Sequence, residues 1–261
     1  MSIGKYLRLS RILEPESRTA IIIPMDHSVE GYFSKLENPR EIIKSMLDGG
    51  ANAFLLRRGV IKNTYDVFAG KAGLIYRVTT ATGTSGDLAY QTITSSVEEA
   101  IKLGADAVVD TVFVGHPRES DMIQWYGILS DVCDEYEMPL VGEVDVWEKK
   151  GEERAEFMRQ GVRSLCEEGA DFIKAFYTDD LESFRKVVKN SLVPLVIGGG
   201  PKKNTVRDFL IMVKDAIEAG AIGTCIGRNI WEAENPIKMT QAVAKIVREK
   251  SSVEEALKLV R

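Results

Sequence analysis

The sequence predicts a (β/α)8 TIM barrel, a single domain over 1–261 with a short N-terminal helix. Three observations carry this expectation. Eight short apolar runs alternate with segments of helical pattern along the chain. The runs are continuously apolar rather than alternating with polar residues, as in parallel strands covered on both faces. The 261 residues hold no linker or low-complexity stretch, and eight units in a chain of ~250 residues fit a closed barrel better than an open doubly wound sheet.

Residues 3–13 read as a short amphipathic helix, followed by a polar turn from Glu14 to Thr19. Ala20 to Asp26 is a buried strand that ends in a carboxylate and His27. Asn38-Pro39 opens a helix, with proline at its first position, and Gly49-Gly50 stops it. Ala53 to Arg57 is the second strand and Gly73 to Thr79 the third. The link between them is short, so its helix is expected to run only two turns. Ser96 to Glu99 is a capping box for a helix that stops at Gly104. Ala107 to Val114 is the fourth strand, and a helix over 120–136 leads to the fifth, Pro139 to Asp145. A helix over 152–168 ends at Gly169, and the sixth strand runs to Tyr177.

Asp179 or Asp180 caps the next helix, to about Lys189. Pro194 to Gly200 is the seventh strand. Thr205 caps a helix whose apolar positions Phe209, Met212, Val213, Ala216 and Ile217 share one face. Gly223 to Arg228 is the eighth strand. Asn235-Pro236 opens a further helix, and a second capping box, Ser252 to Glu255, starts the last one.

Bulk properties exclude several classes. Net charge is −5 with acids and bases interspersed, so there is no basic stripe for nucleic acid. No apolar run approaches the ~20 residues of a membrane helix, and the first residues lack an apolar signal core. A soluble cytoplasmic protein is expected. The three cysteines, Cys133, Cys166 and Cys225, lack metal-ligand spacing and read as reduced thiols. With only His27 and His116 as histidines, no metal or other cofactor is expected. Activity should therefore survive dialysis against EDTA. Loss on dialysis, restored by zinc, would contradict this.

The chemistry centres on the sixth strand, Ala170 to Tyr177. Alternation puts Phe172, Lys174 and Phe176 on one face. An ammonium flanked by aromatic rings is poorly solvated, which favours the neutral amine, a nucleophile able to form a Schiff base. The plain alternative is a lysine paired with a carboxylate for structure. In such barrels the site lies at the C-terminal strand ends. Asp26 and His27 end the first strand, while Glu143 and Asp145 share a face of the fifth, next to Lys174. These acids could move protons on and off the carbinolamine and the substrate carbon. Asp26 could instead be only a helix-side cap. After the seventh and eighth strands come two glycine turns, Gly198-Gly199-Gly200-Pro201 and Gly227-Arg228. Their amides, with the Arg228 guanidinium, make a candidate phosphate cradle.

Pro24-Met25-Asp26-His27, Lys174-Ala175-Phe176-Tyr177-Thr178, Gly198-Gly199-Gly200-Pro201-Lys202 and Ile226-Gly227-Arg228-Asn229 together resemble the archaeal-type class I fructose-bisphosphate aldolase family. That family includes the 2-amino-3,7-dideoxy-D-threo-hept-6-ulosonate synthases of archaeal aromatic amino-acid synthesis. The likeness spans nearly the whole chain in the same order. It implies a barrel in which Lys174 forms the Schiff base and Asp26 transfers protons. It also implies that Gly199, Gly200, Gly227 and Arg228 hold the substrate phosphate, with His27 at the substrate. The implied partner is a phosphorylated sugar, and the implied assembly a homo-oligomer, since similar members form decamers of two five-membered rings.

One departure matters. Where the family carries a Tyr-Pro-Arg-Gly-like segment, whose tyrosine is the general acid/base, this chain has Val144-Asp145-Val146-Trp147-Glu148. The tyrosine position falls on Asp145, which could serve only with a pKa near working pH. The third strand also lacks the expected serine-glycine run. Asp145 is thus a substituted acid, a substrate selector, or a sign of a different reaction. The leading expectation is a class I aldolase or transaldolase on a phosphorylated ketose. A thiolase-like acyl transferase on the same barrel and a non-catalytic sugar-phosphate sensor are the alternatives. Acetyl transfer to coenzyme A would mark the first alternative, and failure of borohydride trapping the second.

Overall fold

The computed structural model describes residues 1–82 and 86–260. In chain order the elements are α1 (Ile3–Ile12), β1 (Ala20–Pro24), α2 (Pro39–Asp48), β2 (Ala53–Leu56), α3 (Arg58–Phe68), β3 (Gly73–Arg77), β4 (Thr79–Thr82), β5 (Asp87–Ile93), α4 (Val97–Lys102), β6 (Ala107–Val114), α5 (Glu119–Glu135) and β7 (Leu140–Val146). They continue with α6 (Gly151–Glu167), β8 (Phe172–Phe176), α7 (Leu181–Asn190), β9 (Leu195–Gly198), α8 (Val206–Ala219), β10 (Gly223–Cys225), α9 (Arg228–Trp231), α10 (Pro236–Glu249) and α11 (Val253–Val260). Among the described residues, eight parallel strands close a TIM barrel in the order β1-β10-β9-β8-β7-β6-β3-β2. No described helix is long and apolar enough to cross a membrane.

Period-two alternation sorts the strand residues into two layers. Ile21, Ile23, Phe54, Leu56, Val108, Val144, Ile173, Ala175 and Ile197 face outward into the core beneath the helices. Ala20, Ile22, Ala53, Leu55, Ile75, Ala107, Val109, Val141, Phe172, Val196 and Cys225 fill the barrel interior. Leu9, Ile12 and Leu13 of α1 and its C-terminal end join that inner cluster, so the N-terminal helix plugs the barrel floor. The buried Lys5 ties α1 down through an ion pair to Asp171 at 2.7 Å. Among the described residues, that end of the barrel is filled by apolar side chains.

The caps follow the sequence signals. Asn38, Asp180, Thr205 and Asn235 each accept a backbone N–H of the first turn behind them. Asp180 rather than Asp179 caps α7. Ser252 and Glu255 form a reciprocal capping box. At Ser96 the hydroxyl accepts from Glu99 N, while the Glu99 carboxylate lies 3.4 Å from Arg58.

Two expectations need correction. α3 has 11 residues, three turns rather than two, because it starts at Arg58 with no loop after the strand. The third strand stops at Arg77, and Thr79 to Thr82 leaves the barrel to pair antiparallel with β5. This hairpin puts Leu88 and Gln91 on the wall of the cavity at the barrel mouth.

Candidate active site

One step beyond the apolar floor, the same inward-facing register turns charged. Inward positions run from Ile22 through Pro24 to Asp26, from Leu55 to Arg57, from Ile75 to Arg77 and from Val141 through Glu143 to Asp145. They run likewise from Phe172 through Lys174 to Phe176 and from Val109 through Thr111 to Phe113. All of these charged and polar side chains line one cavity of about 760 Å³ at the C-terminal mouth. A volume of that order suits a small-molecule ligand.

Lys174 is 5 % exposed, and its Nζ donates to Glu143 Oε1 at 2.7 Å. The strand register explains the pairing, because Glu143 on β7 lies directly opposite Lys174 on β8. Burial, the largest influence, disfavours the ammonium, but the Glu143 carboxylate together with Cys225 and Asp26 more than offsets it and the lysine pKa is raised. The expectation of a neutral resting amine is therefore corrected: aromatic flanking alone did not reckon with the acid in register. Phe176 does lie close, with the Lys174 ammonium 5.5 Å from its ring centroid.

The hub of the cluster is Arg77, which sequence reading did not single out. Its Nε donates to Asp26 Oδ2 at 2.7 Å, and its terminal nitrogens donate to Glu143 Oε2 and Thr111 Oγ1. Two positions beyond the floor residue Ile75, it belongs to the inward register. That alternation was the available signal. Burial is the largest single influence and works against ionisation of Asp26 and Glu143, yet Arg77 together with Lys174 and the other nearby cations holds both carboxyls below their usual range. At neutral pH Asp26 is thus a fixed negative charge that can accept a hydrogen bond but holds no proton to give.

Asp145 faces the cavity two positions past Glu143, beyond the level of Lys174 and toward that of Phe176. Its carboxylate accepts from its own chain at Val146 N, 2.8 Å, and lies 3.6 Å from Arg154. Burial pushes its pKa up to about 6, against the pull of that amide and of Arg154. The cavity also holds Tyr177, but its hydroxyl donates to Asp215 at 2.7 Å. Burial and that carboxylate raise the phenol far above its ordinary value, so it is no ready proton donor. Cys225 lines the cavity too, and burial pushes its thiol up to about 12, which leaves it un-ionised and weakly nucleophilic.

The glycine turns lie where β9 and β10 end. The amides of Gly199, Gly200 and Gly227 donate to no group among the described residues, and all three glycines line the cavity. Gly200 has φ +60°, and a Cβ at Gly227 would sit 2.7 Å from Pro24 O and from Trp231 Nε1. Arg228 reaches Glu30 at 2.9 Å, while its buried Nε has no partner. His27 stands beside them, edge-on to Trp231 at 5.4 Å between ring centroids. Its Nδ1 is 3.8 Å from Asp26 and unpartnered. Burial lowers its pKa despite Asp26, so the imidazole is neutral.

Comparison with known proteins gives a consistent picture. Residues 20–233 match the DeoC/LacD family of aldolases. The chain is 33% identical to a 2-amino-3,7-dideoxy-D-threo-hept-6-ulosonate synthase of Archaeoglobus fulgidus, over 98% of this chain and 95% of that one. It is 32% identical to the class 1 fructose-bisphosphate aldolase of Thermoproteus tenax, over 87% and 89% of the respective chains. Its fold matches an archaeal fructose-1,6-bisphosphate aldolase solved with its catalytic lysine bound to the substrate's carbinolamine intermediate. There the TM-score is 0.84 and the identity 29%, covering 94% of this chain and 99% of that one.

Proposed function

The chain belongs to the DeoC/LacD family of class I, Schiff-base aldolases, and from that premise we propose that it makes or breaks a C–C bond of a phosphorylated ketose, with fructose 1,6-bisphosphate as the leading substrate. The observation that carries this reading is the buried Lys174–Glu143 pair at the mouth of a cavity whose other wall is two glycine turns with open amides. The heptulosonate synthase at 33% identity supports a second reading, a transaldol reaction with the same first half.

In the proposed cleavage, the ammonium of Lys174 first passes a proton along its 2.7 Å hydrogen bond to Glu143. The free amine attacks the C2 carbonyl, and the resulting carbinolamine loses water with Glu143 returning the proton. A protonated imine remains. Ionised Asp145 takes the proton of the C4 hydroxyl, the C3–C4 electron pair flows into the iminium, and an aldehyde departs. The enamine takes at C3 the proton that Asp145 accepted, and water adds to the iminium so formed, releasing the second product and regenerating the Lys174 ammonium. Asp26 supplies the negative charge that steadies Arg77 and the iminium, and His27 offers a neutral edge to the sugar. Gly199, Gly200, Gly227 and Arg228 hold the phosphate next to the ketone. We read residues 1–261 as one such domain, working as a homo-oligomer.

Borohydride reduction in the presence of fructose 1,6-bisphosphate or dihydroxyacetone phosphate should leave protein heavier by the reduced sugar adduct. Unchanged mass with every ketose phosphate would sink the aldolase reading and favour the sensor or acyl-transfer alternatives. The phosphate assignment has its own check. Arg228→Ala removes a charge-assisted contact worth ~1.5–3 kcal/mol, so KM for a phosphorylated ketose should rise roughly 10- to 150-fold. The unphosphorylated analogue should be affected far less. Equal effects on both would put the phosphate elsewhere.

A further inference from the structure

Among the described residues, one of the arginines that line the mouth lacks an acidic partner. Arg77 is matched by Asp26 and Glu143, and Lys174 shares Glu143. Arg228 has Glu30, and Arg154 has Asp145. Arg57 has no such partner. Its Nε donates to a single neutral acceptor, the Asp26 carbonyl at 3.3 Å, and among the described residues its terminal nitrogens bond to nothing. No carboxylate among the described residues forms an ion pair with it. Burial acts most against its charge and Arg77 adds to that, and the attraction of Asp26 and Glu143 does not make up the difference.

Its position adds to this. β2 is the fourth strand from β8 in either direction around the closed barrel, so Arg57 stands across the mouth from Lys174. The glycine turns end β9 and β10, on the arc between the two. α3 starts at the next residue, with no side chain capping it, so the positive end of its dipole reinforces the same spot. A partly desolvated guanidinium with a free planar fork, open to a cavity, is complete only when an anion fills it.

We propose that Arg57 binds an anionic group on the half of the substrate that departs as, or enters as, the aldehyde. The inference rests on the aldolase reading for the identity of that half, but not for the binding itself. The site then holds two anions, one on the glycine turns with Arg228 beside the ketone, the other across the mouth on Arg57. Phosphate and carboxylate share the required chemistry. Arg57 sets the enzyme's preference for charged over neutral acceptors.

The test measures C–C bond formation from dihydroxyacetone phosphate with three acceptors: glyceraldehyde 3-phosphate, succinate semialdehyde and uncharged glyceraldehyde. In the native protein the charged acceptor that fits should exceed glyceraldehyde in kcat/KM. In Arg57→Met that preference ratio should fall about 10- to 100-fold, and Arg57→Lys should restore part of it. The acceptor that loses its advantage identifies the anion. An unchanged ratio in Arg57→Met overturns the proposal. A second measurement is independent of imine chemistry. With dihydroxyacetone phosphate saturating the glycine turns, glyceraldehyde 3-phosphate or succinate semialdehyde should raise the Tm of Lys174→Ala further, and adding Arg57→Met should remove that further rise. A further rise that persists in the double variant places the anion elsewhere and also overturns it. If borohydride trapping fails in the native protein while this Tm shift depends on Arg57, the aldolase reading falls and the anion site stands.

Discussion

Replacing Lys174 should abolish the borohydride adduct and lower aldol cleavage by at least about 10⁴-fold, the largest effect expected of any single change. Two variants are needed, because Lys174 also has a structural role. It is buried and paired with Glu143, so Lys174→Ala removes one partner of a buried cluster. Breaking a buried pair commonly costs ~3–5 kcal/mol. Here Glu143 keeps Arg77, and the loss should fall below that range. Lys174→Arg separates the two roles. It keeps a cation opposite Glu143 in the strand register but cannot form an imine at neutral pH. Both variants should lack the adduct, while Lys174→Arg should keep a Tm close to that of the native protein. Turnover or an adduct in Lys174→Arg would mean that the pair is structural and that the nucleophile lies elsewhere.

The barrel was legible in the sequence because its signals are local and repeated. Continuous apolar runs, caps at Asn38, Asp180, Thr205 and Asn235, and glycine stops each mark an element boundary without reference to distant residues. The hairpin of β4 and β5 was not, because threonine-rich Thr79 to Thr82 reads as a continuation of the preceding strand. Nothing in its composition marks the departure from the barrel. Lys174, Asp26, Asp145, His27 and the glycine turns were found at strand ends, where such barrels keep their chemistry, and all of them line the cavity. Arg57 and Arg77 were legible by alternation from Leu55 and Ile75, yet a cation at a strand end is easily read as the solvated start of a loop. What the sequence could not carry is charge balance. Which acid faces Lys174 depends on register between strands, and a one-residue slip would exchange Glu143 for a neighbour on the opposite face. Hence the lysine's protonation state was misjudged from its own strand.

Register also separates the two acids of β7, and their variants should fail differently. Glu143 touches Lys174, so Glu143→Gln removes the acceptor to which the ammonium must give its proton. Imine formation itself should slow, seen as a drop in the rate of borohydride trapping, and kcat should fall by about 10²–10⁴. Asp145 does not touch Lys174, so Asp145→Asn should leave trapping nearly intact while kcat falls over a similar range. The pH dependence should divide them further. Burial places Asp145 at about 6, close to working pH. Cleavage needs its ionised form, so native kcat should fall as pH drops through 6, and the condensation direction, which needs the acid form, should weaken as pH rises through it. Asp145→Asn should remove both limbs. Glu143, held low by Arg77 and Lys174 against its burial, contributes no limb in that range. Asp145→Tyr restores the residue the resembling family carries and should recover turnover over Asp145→Asn. If Asp145→Asn turns over normally with the limb near 6 unchanged, the C4 proton passes through Glu143 alone. The carboxylate that replaces the family tyrosine then shapes the pocket without touching the proton.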